Sequence, residues 1–212
     1  IVQRVATELG IQDKILLHLT GLSRSLNVAR KAEEEGAYVI VARGWSANQI
    51  VEAGIRTPLV FLPISMQDLV YVLDQALAKA AKPNPRVGFI VYPQLQKELV
   101  ALSSLLHVDL RIYPSGSDKE DMRRAIEQAV RDKVDVFIGG ETSIAMAEGM
   151  GLCCQLLVCD EMSIRQALLE AKRIVYAREL EQAQSLKFKT VIEHSHDGIV
   201  SLDAEGRVLL IN

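Results

Sequence analysis

Short apolar runs alternate with amphipathic segments along most of the chain. Unbroken apolar runs predict strands buried on both faces of a sheet, and they lie at residues 14–20, 38–43, 58–63, 86–92, 108–114, 135–140 and 153–160. Helical spacing of apolar positions predicts helices at residues 2–10, 23–36, 46–54, 64–81, 94–106, 117–133, 142–151 and from about 163 to 194. The alternation predicts an α/β fold with parallel sheets and helices on both faces.

One unit occurs twice. Residues 37–80 and 134–177 each contain an apolar run, a Gly-containing turn, a short helix with a serine at its start, a second apolar run, and a serine before a long helix. The matching residues are Ser46 with Ser143 and Gly54 with Gly151, at an offset of 97, and Ser65 with Ser163, at an offset of 98. Two such units that face each other predict a cleft lined by the turns.

The clearest break in the chain is Lys-Pro-Asn-Pro at residues 82–85, where two prolines cannot continue a helix. It predicts a crossing between lobe one, residues 1–82, and lobe two, residues 83–160. Residues 161–187 are interpreted as a helix that returns to lobe one and a connector. We expect two Rossmann-like lobes, as in periplasmic-binding-protein-like domains, with an interlobe cleft and a long C-terminal helix.

Composition narrows the classes of function. Hydrophobic residues make up 49% of the 212, enough for a large core, and the formal net charge of −3 argues against nucleic-acid binding by this chain itself. No apolar run reaches the roughly 18 residues of a membrane span, and no signal peptide is recognisable. The clustered cysteines, Cys153, Cys154 and Cys159, are typical of reduced thiols. We therefore expect a cytoplasmic protein with no membrane partner.

Motifs of catalysis are absent from the sequence. It contains no metal-ligand spacing, P-loop, G-x-S-x-G or G-x-G-x-x-G pattern. His18 ends a predicted strand with no carboxylate or cysteine nearby in sequence, and His107 follows a predicted helix. We expect a protein that is not an enzyme and that uses no cofactor or metal.

The turn Arg43-Gly44-Trp45-Ser46-Ala47 follows a predicted buried strand and opens a helix. Ligands of open α/β sheets bind at the carboxyl ends of the strands, and the free N–H groups of a helix N-terminus favour an anion. Gly44 permits close approach of the backbone, and Arg43 can bind a carboxylate through two parallel hydrogen bonds. The alternative is that Ser46 only caps the helix and Arg43 is a surface charge.

The turn Gly139-Gly140-Glu141-Thr142-Ser143 occupies the equivalent place in the second copy. Taken alone, it is explained as an ordinary turn with a capping serine, and its position opposite the first turn is what suggests a site. Glu141 is unusual for an anion site. It can accept from a ligand hydroxyl, or pair with Arg43 in the absence of ligand.

Three further residues are candidates at the edge of the same cleft. Ser65 and Ser163 stand before the two long helices and can present two more helix N-termini, with ordinary N-capping as the alternative for each. Tyr92 ends the first predicted strand of lobe two and can close over a ligand. It can equally pack with its hydroxyl at the surface.

The C-terminal segment FKTVIEHSHDGIVSLDAEGRVLLIN resembles the opening of a PAS domain. It contains two apolar strands around an Asp-Ala-Glu-Gly turn, which predicts a hairpin. A lone hairpin is only marginally stable. Residues 188–212 are therefore interpreted as the beginning of a PAS domain.

Residues 1–180 resemble the N-terminal sensor domain of the propionate catabolism activator (PrpR) family. The segments that carry the resemblance are YVIVARGWSANQI, TPLVFLPISMQDLVYVLDQA, VDVFIGGETSIAMAEGMGL and EMSIRQALLEAKRI. Proteins of this family are cytoplasmic sigma-54-dependent transcription activators. Their layout is this sensor, often a PAS domain, an ATPase domain and a helix-turn-helix domain.

The resemblance implies a ligand and partners. The best-known members respond to 2-methylcitrate. By the same resemblance, residues 43–47 match the family's ligand-side turn, and residues 139–143 match its opposite wall. Trp45 departs from the small residue usual there, which implies a narrower pocket or a different ligand. The implied partners are a small carboxylate effector and a second copy of the chain, with DNA, ATP and sigma-54 RNA polymerase reached only through downstream domains.

We therefore expect a carboxylate sensor that signals through the final helix to a PAS domain and an ATPase. Two alternatives remain open. One is a two-lobed racemase or isomerase that uses Cys153 or Cys159 as acid and base. Such enzymes usually need a cysteine in each lobe, and lobe one has none. The other is a dimerisation module without a ligand, which would associate through residues 163–194.

Overall fold

The computed structural model describes residues 1–18, 22–91, 95–116, 118–194 and 197–211. The helices in these ranges are α1 (Val2–Glu8), α2 (Leu22–Glu34), α3 (Gly44–Glu52), α4 (Met66–Ala80), α5 (Gln96–Leu106), α6 (Lys119–Arg131), α7 (Glu141–Gly149) and α8 (Glu161–Glu193). The strands are β1 (Ile40–Ala42), β2 (Leu59–Phe61), β3 (Arg86–Val91), β4 (Asp109–Pro114), β5 (Val136–Gly139), β6 (Cys154–Leu156), β7 (Val200–Leu202) and β8 (Val208–Ile211).

The strands form two parallel sheets and one hairpin. Strands β1 and β2 pair in parallel, and a second parallel sheet has the order β4-β3-β5-β6. Strands β7 and β8 pair antiparallel around the turn predicted at Asp203 to Gly206. The predicted α/β class, with two parallel sheets and a long C-terminal helix, is confirmed.

The chain divides into two compact units, Ile1–Ala171 and Lys172–Asn212. The first contains both parallel sheets and the beginning of α8. The second contains the rest of α8 and the hairpin, where Ile192 is buried while Val200, Leu202 and Val208 are exposed. The predicted lobe boundaries remain predictions.

Helix α4 packs against the four-stranded sheet, although it directly follows β2 in the chain. Its apolar face joins β3, β5 and α5 in one buried cluster, whose members are Leu69, Val72, Leu73, Ala76, Val87, Phe89, Val91, Leu99, Leu102, Val136, Ile138 and Leu157. Polar contacts extend this packing to β6. Lys79 Nζ donates to the Cys154 carbonyl (2.5 Å), and Gln155 Nε2 donates to Gln75 Oε1 (2.9 Å).

The first turns of α8 pack with α1 from the opposite end of the chain. The buried residues of this contact are Val5, Ala6, Ile11, Cys159, Ile164 and Leu168. Leu62, which follows β2, packs against the same residues. Arg4 pairs with Glu161 and Arg165 with Glu8 beside them. Each long helix of the repeated unit therefore packs beside elements from the other half of the chain.

The predicted strand at residues 14–20 is wrong over its described part. A 3₁₀ turn spans Gln12–Lys14, and residues 15–18 form no regular structure, while residues 19 and 20 lie outside the described ranges. Ile15 packs beside α1 and α8, and Leu16 stays 74% exposed. An apolar run forms a strand only where it can pair with the edge of a sheet. Here Ile15 packs in the contact between α1 and α8 instead.

The predicted strand at residues 153–160 is too long. Strand β6 ends at Leu156, because the chain then leaves the sheet toward α8. Tyr92, the residue predicted to close over a ligand, lies outside the described residues.

Candidate functional site

The first turn, residues 43–47, lies at the carboxyl end of β1. Arg43 is extended and serves as the N-cap of α3, which begins at Gly44 and has no side-chain cap. Gly44 has a φ of +55°, the left-handed region that favours glycine. The helix therefore starts abruptly after the strand, and its first N–H groups are not capped by a serine or aspartate side chain.

Arg43 reaches across to the segment that leaves β6. Its Nη1 donates to Cys159 Sγ (3.0 Å) and its Nη2 to the carbonyl of Leu157 (3.1 Å). The expected pairing of Arg43 with Glu141 does not occur among the ion pairs of the described residues. Arg43 is half-buried, so the reading of it as a mere surface charge does not describe these contacts.

Trp45 also crosses to the four-stranded sheet. Its half-buried side chain packs against a cluster of buried residues built from that sheet and from α6 and α7, namely Ile90, Tyr113, Met122, Ala125, Ile126, Ala129, Val134, Phe137, Ala147 and Cys154. Of its neighbours in the turn, Ser46 is half-buried and Ala47 is fully buried. Ala47 is therefore placed as a packing residue.

The second turn, residues 139–143, lies at the carboxyl end of β5. Gly140 is the N-cap of α7, which begins at Glu141 and again has no side-chain cap. Ser143 is buried, and its Oγ donates to the Gly140 carbonyl (2.9 Å) rather than accepting from the helix start. A Cβ on Gly139 would lie 2.2 Å from Ser143 Oγ. The glycine therefore permits the close approach of α7 to β5.

The two turns are structural equivalents. Helix α3 (Gly44–Glu52) and helix α7 (Glu141–Gly149) each contain nine residues, and both their first and last residues differ by the predicted offset of 97. Both are followed by a glycine with positive φ, Gly54 at +69° and Gly151 at +84°. The repeat found in the sequence is therefore a repeat of backbone structure over this stretch.

The starts of α4 and α8 are joined in one hydrogen-bonded network, which we call the crossover node: Ser65, Asp68, Asp160 and Ser163. Asp68 and Ser163 are buried, and Ser65 and Asp160 are half-buried. Ser65 caps α4 in a capping box, accepting from the Asp68 N–H (3.0 Å) while Asp68 Oδ2 accepts from the Ser65 N–H (2.8 Å). Asp68 also accepts from the Asp160 N–H (2.7 Å) and from Ser163 Oγ (3.0 Å). Ser65 and Ser163 thus serve the same node.

The predicted equivalence of Ser65 and Ser163 is wrong by three residues. Helix α8 begins at Glu161, and Asp160 Oδ1 accepts from the Ser163 N–H (2.7 Å), so the capping side chain is Asp160. Ser163 occupies the place that Asp68 has in α4. Part of the signal was present in the sequence, since Asp is a preferred N-cap residue and Asp160 stands directly before the helix.

The cysteines differ in environment. Cys153 is exposed, whereas Cys154 and Cys159 are buried. Burial raises the pKa of the Cys154 thiol to about 11. Burial also raises the pKa of Cys159, and the Arg43 guanidinium opposes that change. Neither buried sulfur is poised as a thiolate at neutral pH.

Within residues 1–18, 22–91, 95–116, 118–194 and 197–211, there is no group of three or more histidine, cysteine, aspartate or glutamate side chains that could hold a metal ion. Over the same ranges, no helix is both long and apolar enough to cross a membrane.

Two parallel sheets, exchanged long helices and a pair of equivalent turns define a two-lobed α/β fold. The chain belongs to the propionate catabolism activator family, whose sequence profile matches residues 11–181. Its fold is similar to the crystal structure of an NtrC family transcriptional regulator from Clostridium acetobutylicum, with a TM-score of 0.70 and 16% identity over 82% of this chain and 91% of that one. Family membership supports a regulatory sensor domain.

Proposed function

We propose that this chain senses a small carboxylate, which binds between the first turn and the second turn. The observation that carries the proposal is the pairing of α3 and α7, two equivalent helices that each begin at the carboxyl end of a parallel strand without a side-chain cap. Uncapped helix starts offer N–H groups and partial positive charge to an anion. One such start is commonplace, and the equivalence of two gives the proposal its support.

Four polar side chains supply the recognition chemistry in this proposal. The Arg43 guanidinium pairs with a ligand carboxylate, while Ser46 and Thr142, both half-buried, contact ligand oxygens. Glu141 is exposed and accepts from a ligand hydroxyl. Trp45 packs against the cluster of the opposite sheet and so limits the size of the ligand.

The proposed signal leaves through α8 to a PAS domain that begins near residue 188, and then to ATPase and DNA-binding domains that act with sigma-54 RNA polymerase. The supports are the family, the continuous helix from Glu161 to Glu193, and the β7–β8 hairpin. The protein works in the cytoplasm as a homodimer in this proposal.

Thermal unfolding with citrate, 2-methylcitrate, benzoate and inorganic phosphate tests the binding step. A carboxylate that binds the folded state raises Tm as its concentration passes Kd. The rise is lost in Arg43→Met and kept in Arg30→Met, which changes an exposed arginine of α2. A rise of the same size in Arg43→Met would remove Arg43 from the site.

A dimerisation module without ligand is the second candidate. Its support is the exposure of large apolar side chains along the later part of α8, namely Tyr176, Leu180, Leu186, Phe188 and Val191. Sedimentation of the wild-type chain beside Leu180→Glu tests whether this surface forms a dimer, and the Tm response to acids separates the two candidates. A dimer lost in Leu180→Glu, with no Tm response to any acid, favours this candidate over the sensor.

A further inference from the structure

The segment between β6 and α8, residues 157–160, is held by residues that lie far away in sequence. We call it the crossover segment. Arg43 donates to two of its members, to the carbonyl of Leu157 and to the sulfur of Cys159. Both of these residues are buried, with 6% and 5% of their surface exposed. The principal cation of the proposed site is therefore already engaged by the segment that leads into α8.

The far end of the crossover segment is held by the crossover node. The Asp160 N–H donates to Asp68 Oδ1 (2.7 Å), and Asp160 Oδ1 accepts from the Ser163 N–H (2.7 Å) in the first turn of α8. Cys159 Sγ also lies 3.6 Å from the carbonyl of Pro63, in the chain just before α4. A change at Arg43 therefore affects the crossover segment, and α8 begins directly after this segment, at Glu161.

The two groups that hold Arg43 are weak competitors for a guanidinium. Leu157 offers a neutral carbonyl and Cys159 a thiol, which is a poor acceptor. A carboxylate carries the opposite charge and can engage two N–H groups of the guanidinium in parallel, so it binds arginine more strongly than a neutral carbonyl or a thiol does. A carboxylate in the cleft would therefore draw the guanidinium away from the crossover segment.

We propose that the effector carboxylate and the crossover segment compete for the Arg43 guanidinium, so that binding releases residues 157–160 and loosens the start of α8. This inference rests on the carboxylate site proposed above, and it adds how that site is read out. A ligand shifts such an equilibrium only by its differential affinity for the two states. Here the differential interaction is the exchange of acceptors on Arg43.

Hydrogen exchange followed by mass spectrometry measures the release directly. Arg43→Met removes both contacts, so without any ligand the amides of residues 157–164 should exchange at least fivefold faster than in the wild type. Arg30→Met should leave these rates unchanged. Equal rates in Arg43→Met and Arg30→Met would overturn the inference, because Arg43 would then not hold the segment.

Cys159→Ala distinguishes the release of the crossover segment from the binding of the carboxylate. The substitution removes one acceptor of Arg43 and leaves the guanidinium in place. Whichever of citrate, 2-methylcitrate and benzoate raises the Tm of the wild type should bind Cys159→Ala at least as tightly. The same compound should accelerate exchange of residues 157–164 in the wild type, and accelerate it less in Cys159→Ala, where the segment is already partly released.

The outcomes distinguish the two proposals. A carboxylate that raises Tm through Arg43 without changing exchange at residues 157–164 overturns the competition and leaves the sensor site standing. If no carboxylate raises Tm, both proposals fail. Acceleration by the carboxylate in the wild type, with tighter binding and a smaller acceleration in Cys159→Ala, supports both.

Discussion

The repeated units present two kinds of helix start, and these differ in how their polar groups are satisfied. At the first and second turns, α3 and α7 begin without a side-chain cap, on Arg43 and Gly140. At the crossover node, Ser65 caps α4, Asp160 accepts from the first turn of α8, and the buried Asp68 carboxylate joins the two helices. All four helices follow a parallel strand.

The difference shows that the serines near two of these helix starts have a structural role, and their part in ligand binding stays a prediction. Ser65 and Ser163 were candidates for the cleft, and the structure places both in contacts with Asp68. The first and second turns rely on backbone geometry instead, with a positive φ at Gly44 and close packing at Gly139. We therefore expect substitutions at the node to change stability, and substitutions at the turns to change binding.

Asp68→Ala should have the largest effect on stability. It removes the acceptor of the part-buried Ser65 and Asp160 N–H groups and of the buried Ser163 hydroxyl, and it leaves these three donors without their partner. We expect a loss of about 3 kcal/mol in the free energy of unfolding, measured by urea denaturation.

Asp74→Ala is the matched control for Asp68→Ala, because Asp74 is exposed on the same helix. It should change the free energy of unfolding by less than roughly 0.5 kcal/mol. Asp68→Asn keeps one acceptor oxygen and should fall between the two. Equal losses for Asp68→Ala and Asp74→Ala would show that the node does not stabilise the fold.

Whether a feature of the fold could be predicted depends on how far apart in sequence the residues that determine it lie. Strand β3 was predicted because Phe89, Ile90 and Val91 form an unbroken apolar run, and such runs reflect burial on both sides of a sheet. The equivalence of α3 and α7 was predicted because their glycine turns recur at a fixed offset. Both signals are local, and the structure confirms both.

The hydrogen bonds of the crossover node and of Arg43 could not be predicted, since they join residues that are far apart in sequence. Asp68 and Ser163 are 95 residues apart, and Arg43 and Cys159 are 116 apart. One sequence does not reveal which distant polar groups meet. The packing of α4 on the four-stranded sheet is of the same kind, because periodicity identifies the apolar face of a helix and not the surface that it covers.

Gly139→Ala should destabilise the second turn by overpacking. A Cβ there would lie 2.2 Å from Ser143 Oγ and 2.9 Å from Ile90 Cγ2, so either the serine or the sheet must shift. We expect a loss of about 2 kcal/mol in the free energy of unfolding. Adding Ser143→Ala should restore part of it by removing the closer of the two atoms.

Gly140→Ala is the control for Gly139→Ala, since a Cβ on Gly140 has no heavy atom within 4 Å and its φ is −80°. It should leave stability nearly unchanged. A loss at Gly140 that matches the loss at Gly139 would mean that the second turn is sensitive for a reason other than close packing.

Ser163→Ala and Ser46→Ala compare one serine from each region. Ser163 is buried and donates to Asp68, so its loss should cost about 1 kcal/mol in the free energy of unfolding. Ser46→Ala should cost less than about half as much. In ligand titrations the order should reverse, with a weaker Kd only in Ser46→Ala. The comparison fails if Ser46→Ala is the more destabilising of the two.

The smallest expected effect is a loss of stability at alkaline pH, which comes from the buried sulfurs. Burial raises the pKa of Cys159 above its ordinary value of roughly 8.5, so the folded state holds this proton more tightly than the unfolded state. That contribution is fully present below the ordinary pKa and is lost as pH rises through the pKa of the folded state. Between about pH 8.5 and 10, the Tm of the wild type should therefore fall, and it should fall less steeply in Cys159→Ala.

Cys154→Ala should also reduce the fall of Tm with pH, because the pKa of the Cys154 thiol is raised to about 11. Cys153→Ala, at the exposed position, serves as the control, and a profile flattened equally by that substitution would rule out burial as the cause.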